Sequence, residues 1–343
     1  MTTSSAMPRP PARLTLRRPE DLFAAAPVLL GFWPEQSVVL MTFGARHPFH
    51  ARIDLPPTVA GSAVVRRQLA AALLGPALRH GADQVVLLYY AEDSAPAEAA
   101  HRTLRRACRR SGLEVLAALA TDGTHYRDLE HRVPAARSRR HPVDVSAHPF
   151  VVEAIVDGRL AHRTRADLVS SVDQNPAAAE AVASALRSGR HAEDGVPASD
   201  SAVREAGAWV AHAVRDLVAD ETPPGDDDLA HLLWVMQAPR VRDAAWSTIT
   251  RASAQEHVRL WSGVVRRAPE SLVAAPAALL GWAAWQAGDG ALAWIAVDRC
   301  TRASPGYRMA ALLASLLQDA VPPAAWQGGP AWDRGLPERW ATF

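Results

Sequence analysis

The sequence predicts an α/β domain with a mixed, partly parallel sheet, followed by an all-α domain of helical hairpins. Three observations carry this reading. Between residues 37 and 120, apolar runs of strand length alternate with segments of helical periodicity, the order expected of crossover-connected strands. Beyond residue 164 strand-like runs almost vanish, and apolar residues recur three and four apart. A stretch rich in Gly, Asp, Pro and Ser at 188–201 reads as a linker. The expected organisation is a disordered, proline-rich arm at 1–12, the α/β domain at 13–187, the linker at 188–201, the helical domain at 202–326 and an irregular tail at 327–343.

Each element has a local cause. Residues 13–16 could form a short strand; Pro19, Glu20 and Asp21 then open a helix, with proline in the first turn and acids at the positive end of its dipole, and Gly31 stops it. Ser37 to Phe43 is a continuous apolar run and Phe49 to Leu55 alternates, so the two read as a hairpin. Residues 61–80 are helix-periodic and end at Gly81, followed by the run Gln84 to Ala91. A helix from about Pro96 to Arg110 ends at Gly112 and leads to a strand at Glu114 to Ala120. The order strand, helix, strand, helix, strand over 49–120 makes part of the sheet parallel.

In the second half, Thr164 to Asp167 and Ser253 to Glu256 match the capping box, in which hydroxyl and carboxylate exchange bonds with backbone amides. Val203, Ala206, Val210, Ala213 and Leu217 mark a long helix, and five or six short helices follow up to Ala320. Within them Leu280, Gly281, Gly288, Ala293, Cys300 and Pro305 fall where a tetratricopeptide unit places its small and turn residues. Residues 274–307 therefore resemble one such unit, although Ala284 and Val297 stand at usual aromatic positions.

Composition sets limits. With 343 residues, 49% hydrophobic and 21% charged, the chain can bury a sizeable core, which excludes a collagen, a rod or a disordered polymer. The net charge of +1 divides unevenly: residues 1–175 carry 22 basic and 17 acidic groups, and 176–343 carry 15 and 19. All 37 basic residues are arginine, and ten of the 11 tryptophans lie in the second half. Two separate cysteines, Cys108 and Cys300, exclude a disulfide framework and a zinc site. The polar start lacks secretory character and the most apolar stretch, Leu272 to Trp285, is too short to span a bilayer, so a cytoplasmic protein without membrane partner or cofactor is expected.

The string Leu30-Gly-Phe-Trp-Pro-Glu-Gln-Ser-Val-Val39, followed by a strand, resembles the opening signature of the domain-of-unknown-function 4192 family of actinobacteria. Thr164 to Leu168, the segment Gly288 to Pro305, and Val321 to Trp326 extend the resemblance over roughly residues 13–326. The resemblance implies no assigned activity, substrate or cofactor. Members of the family often carry a cysteine cluster after the last strand of the α/β portion. Here Arg127 to Pro134 holds none, so no thiolate metal or redox role carries over.

Three groups of residues are candidate sites. In the signature loop, Glu35 and Ser37 are the polar residues available to chemistry, beside the plainer reading of a turn-stabilising pair. Ligands of open α/β sheets sit beyond the carboxyl ends of the strands, which directs attention to Glu92, Asp93 and Ser94 and to Thr121, Asp122 and Gly123. Glu35, Asp93 and Asp122 are the catalytic candidates, and Glu92, Ser94 and Thr121 the ligand-binding ones; an N-cap and an ordinary turn are the alternative. Residues 101–140 hold ten arginines and four acids. Arg102, Arg106, Arg109, Arg110, Arg139 and Arg140 are anion-binding candidates, against a solvated helix face and exposed loop. No metal site is expected, because His125, His131, His141 and His148 lack ligand spacing. No phosphate loop, nucleophile elbow or zinc-protease motif occurs.

The leading functional expectation is a non-catalytic protein that binds another protein through its tryptophan-rich helical domain. The first alternative is an enzyme acting on a small molecule or through a metal at the acidic loops. The second is a nucleic-acid accessory protein using the arginines at 102–140.

Overall fold

The structure, a computed structural model, describes residues 15–55, 63–130, 139–188 and 195–336. The arm expected at 1–12 lies outside the described residues, as do parts of the expected linker and tail. The chain forms two compact units, Met1–Arg165 and Ala166–Phe343. The first unit thus ends before residue 187, and the helix Pro176–Ser188 lies in the second.

In the first unit, α1 (Pro19–Leu30) precedes β1 (Ser37–Phe43), β2 (His50–Asp54), α2 (Ala63–Arg79), β3 (Gln84–Tyr90), α3 (Ser94–Ser111), β4 (Glu114–Thr121), β5 (His125–Asp128), β6 (His141–Pro142) and α4 (Pro149–Val156). Thr15 and Leu16, where a strand was expected to end, are irregular. The six strands make one sheet in the order β2-β1-β3-β4-β5-β6, with β3 and β4 parallel and the other pairs antiparallel. Helix α3 connects the parallel strands β3 and β4 and packs on one face of them, where Val85, Leu87, Tyr89 and Ala118 are buried with Leu73, Leu104 and Cys108. Burial of each such Leu or Val contributes about 1.5–3 kcal/mol. The opposite face carries α1, whose Phe23 ring meets Tyr90 at 6.0 Å and Tyr126 at 5.5 Å.

Gly31 ends α1 as the sequence requires. Its φ of 76° is left-handed, and its N–H closes on the Pro27 carbonyl. The hairpin between β4 and β5 is the main departure from expectation, since 125–128 carries no alternation. Its cause is Asp122-Gly123, where Gly123 adopts φ 95°.

In the second unit, α5 (Arg165–Ser170, starting at the point of division) leads to α6 (Pro176–Ser188), α7 (Asp200–Asp220), α8 (Asp226–Val235), α9 (Pro239–Ser247), α10 (Ala254–Arg267), α11 (Ala274–Gln286), α12 (Gly290–Ala303) and α13 (Arg308–Gln318). No strand occurs among the described residues of this unit. Helices α11 and α12, joined through residues 287–289, pack closely where Gly281 faces α12 and α13. A Cβ at Gly281 would lie 2.8 Å from Leu313 Cδ2 and 3.3 Å from the Ala293 carbonyl oxygen. One expected cap is absent: the Ser253 hydroxyl turns to Thr250 instead of to an amide of α10. Local hydroxyl pairing competes successfully with the cap there. The described part of the tail, 327–336, has no helix or strand, yet Trp332 covers Gly207 of α7 and Arg204 donates to the Leu336 carbonyl at 2.5 Å.

Candidate functional site

Strand register builds the site. Across the sheet, Ser37 of β1 pairs with Tyr90 of β3, Tyr90 with Thr121 of β4, Thr121 with Tyr126 of β5, and Tyr126 with His141 of β6. Residues directly opposite on neighbouring strands project to the same face. A polar row therefore crosses five strands on the α1 side, at the end where β3 and β4 terminate. Such an end is where an open α/β sheet leaves a crevice.

A cavity of about 740 Å³ opens there. Its walls come from four places: Trp33 to Gln36 of the signature loop, Tyr90 to Glu92, Thr121 to Thr124, and Pro142 to Ser146, with Phe23 of α1 added. All belong to the first unit. Phe23 and Thr121 are buried, Trp33 and Tyr90 half-buried, and Glu35, Glu92 and Asp144 exposed at the rim.

Local bonds fix each wall. Gln36 holds φ 41°, uncommon for a residue with a side chain, while its carbonyl accepts the Leu55 amide at 2.8 Å. The Glu35 carbonyl accepts from the Arg52 guanidinium at 3.1 Å. The far wall is hung from the sheet by the Val143 amide on the Thr124 carbonyl, 2.9 Å. It is pinned to α1 through His148, whose Nδ1 accepts the Phe150 amide and whose Nε2 then donates to Asp21 at 3.1 Å. Burial raises the Asp21 pKa, but the amides of Arg17 and Arg18 and the His148 ring outweigh it and keep it below its ordinary value.

The sequence candidates separate in this geometry. Glu35, Glu92, Thr121 and Asp122 line the cavity together. Asp93 and Ser94 are outside the lining: Asp93 caps α3 by accepting the Ala95 amide at 3.0 Å, and Ser94 begins that helix. Asp122 is committed to its turn. It accepts the Thr124 amide at 2.9 Å, the Thr124 hydroxyl at 2.8 Å and the His125 amide at 2.8 Å, and it pairs with Arg140. Burial raises its pKa, yet these bonds hold it at about 2, which suits a structural anion and not a proton acceptor.

The arginines do not assemble into one site. Arg102 lies 3.9 Å from Glu98, and Arg140 is taken by Asp122. Arg106, Arg109, Arg110 and Arg139 are exposed, the middle pair in the last turn of α3 where a cation favours the dipole. His131, Arg132 and Arg137 lie outside the described residues. Among those described, no group of three or more His, Cys, Asp or Glu could hold a metal ion. Both cysteines are buried, with burial pushing Cys108 up to about 11 and Cys300 to about 12. No described helix is long and apolar enough to cross a membrane.

Sequence reasoning missed Tyr90, Tyr126 and the wall at 142–146. The Asp-Gly pair at 122–123 was the one signal for the hairpin that brings Tyr126 into the row.

A family model described as Domain of unknown function (DUF4192) matches residues 19–324, and the chain belongs to that family. No curated protein and no solved structure matches it.

Proposed function

We propose that this family member binds a small molecule in its α/β unit, at the carboxyl ends of β3 and β4. One observation carries the reading: the signature loop, two strand-end loops and the segment 142–146, distant in sequence, converge on one cavity. Its volume falls in the range typical of ligand pockets, and its mixture of aromatic floor and polar rim is of the usual kind. Asp93 and Asp122 are engaged in capping and turn bonds, so the reading is of binding and assigns no catalytic step.

Partner binding through the helical unit, the leading expectation from sequence, draws less support from its tryptophans, of which Trp209, Trp234, Trp294, Trp326 and Trp332 are half-buried. Trp246, Trp261, Trp282 and Trp285 are buried, and no described tryptophan is exposed. They pack the unit against itself.

The test is ligand-observed NMR on the full chain, against a library of small fragments with cationic, neutral and anionic members. Ser146 is exposed at the cavity wall, so Ser146→Trp should fill the mouth without disturbing the core. Fragments that bind the native chain and are lost on Ser146→Trp support the proposal. A library in which no binder responds to that substitution overturns it.

A further inference from the structure

We infer that the cavity selects a small organic cation, an amine that also carries a hydrogen-bonding oxygen, over neutral and anionic molecules of the same size. The inference rests on the cavity being a ligand site, and names the ligand's chemistry.

The charges in the lining are of one sign. Glu35, Glu92, Asp122 and Asp144 contribute carboxylates, and among the described residues no Arg or His lines the cavity. Asp122 is matched by Arg140. Arg52 pairs with Asp54 at 2.6 Å and also interacts electrostatically with Glu35. Asp144 gives one oxygen to the Ser146 amide at 2.9 Å. The Glu35 and Glu92 carboxylates accept no hydrogen bond and form no close ion pair among the described residues, so the rim carries negative charge that a cation would meet first. An anion would enter against it, and the exposed arginines of α3 are not in the walls.

The aromatic lining favours the same charge. Phe23, Trp33 and Tyr90 surround the space, and ring faces attract ammonium groups, tryptophan most strongly.

A separate observation points to the polar part of the ligand. Tyr90 lines the cavity, and its hydroxyl is buried without a hydrogen-bond partner; Ser37, its register partner on β1, lies outside the lining and also has a buried, unpartnered hydroxyl. Ser37 itself is fully buried. By contrast, the third hydroxyl of the row, on Thr121, donates to the His125 carbonyl at 3.0 Å. An unpartnered buried hydroxyl on a residue that lines a cavity is unusual in a native fold. A ligand oxygen beside Tyr90 would satisfy its hydroxyl through a small rotation of the ring, while the ammonium meets Trp33 and the rim carboxylates.

Matched molecules test the charge. Tyramine, glucosamine and spermidine are compared by calorimetry, at constant ionic strength, with the neutral tyrosol and glucose and the anionic 4-hydroxyphenylacetate and gluconate. At least one cation should bind, at least fivefold more tightly than its neutral counterpart, with no binding of the anions. Glu35→Gln and Glu92→Gln should each weaken that cation about three- to fivefold, as for an exposed ion pair, with unfolding midpoints unchanged. Tyr90→Phe should weaken a hydroxylated cation while leaving spermidine unaffected. If neutral or anionic members bind as tightly as the cations and are blocked by Ser146→Trp, the charge inference falls and the cavity reading stands. Cation binding that survives the Glu35→Gln and Glu92→Gln double substitution also overturns it. If nothing binds and the fragment library is blank, the cavity reading itself falls.

Discussion

The two units use their aromatic side chains in opposite ways. In the helical unit, Trp282 meets Trp246 at 4.7 Å, Trp285 at 4.9 Å and Trp326 at 4.9 Å, and its own exposure is 1%. In the α/β unit, Phe23, Trp33 and Tyr90 surround open space. Unpartnered buried atoms differ in the same way. Those of the helical unit include single ring nitrogens of Trp246, Trp261 and His257, enclosed by packing; in the sheet, the unpartnered Tyr90 hydroxyl belongs to a residue that lines a cavity. Aromatic content therefore marks a core in one place and a site in the other, and only tertiary placement tells them apart.

The largest effect that could break this contrast is on stability. Trp282→Ala removes the centre of a closed cluster and should cost about 3–5 kcal/mol. Trp33→Ala, in a half-buried loop position, should cost under about 1 kcal/mol while abolishing fragment binding at the cavity. Urea unfolding followed by circular dichroism measures both. Equal costs would make the signature loop part of a core, and the distinction between the units would fail.

A smaller effect separates them by pH. His257 of α10 is 2% exposed, and its Nε2 donates to the Thr248 carbonyl at 3.1 Å, which leaves Nδ1 buried and unprotonated with no partner. Burial lowers its pKa to about 4 from an ordinary 6.5. As the pH falls below 6.5 the unfolded chain takes up the proton first. The stability due to neutral His257 is complete above that pH and is lost progressively down to about 4, at up to about 1.4 kcal/mol per pH unit. Burial also lowers His50 and His101 in the α/β unit, so the variant isolates the residue: His257→Gln should flatten the slope of unfolding free energy between pH 6.5 and 4. An unchanged slope would assign the pH dependence to the α/β unit.

What could be read from sequence follows the range of the interactions. Strands β1 and β3 are apolar runs buried on both faces and β4 is buried over its second half, and their order with α2 and α3 points to a crevice after Ala91 and Ala120. Glu35, Glu92, Thr121 and Asp122 were reachable by that rule. Asp93 and Ser94 were not separable from them, since capping of α3 draws them aside within two residues. The wall at 142–146 has no periodic pattern, and β6 is two residues long, so nothing local announces either. The hydroxyl row is invisible in sequence because it exists only through the register of five strands, between residues up to about a hundred apart.

The smallest expected effect is the most telling for the sheet, because its sign differs from that of ordinary core substitutions. Ser37 is fully buried, yet its hydroxyl has no partner, so the native state bears a desolvation cost. Ser37→Ala removes that hydroxyl with little change in volume and should raise the stability of the ligand-free protein by about 0.5–1 kcal/mol. Thr121→Val, at the partnered end of the row, should instead lower stability by about 1 kcal/mol through loss of its bond to His125. Opposite signs at two positions of one row would show that the Ser37 hydroxyl is buried at a cost while the Thr121 hydroxyl is satisfied. Loss of stability in both variants would mean that Ser37 is satisfied within the fold, and the row would then be no different from the packed interior of the helical unit.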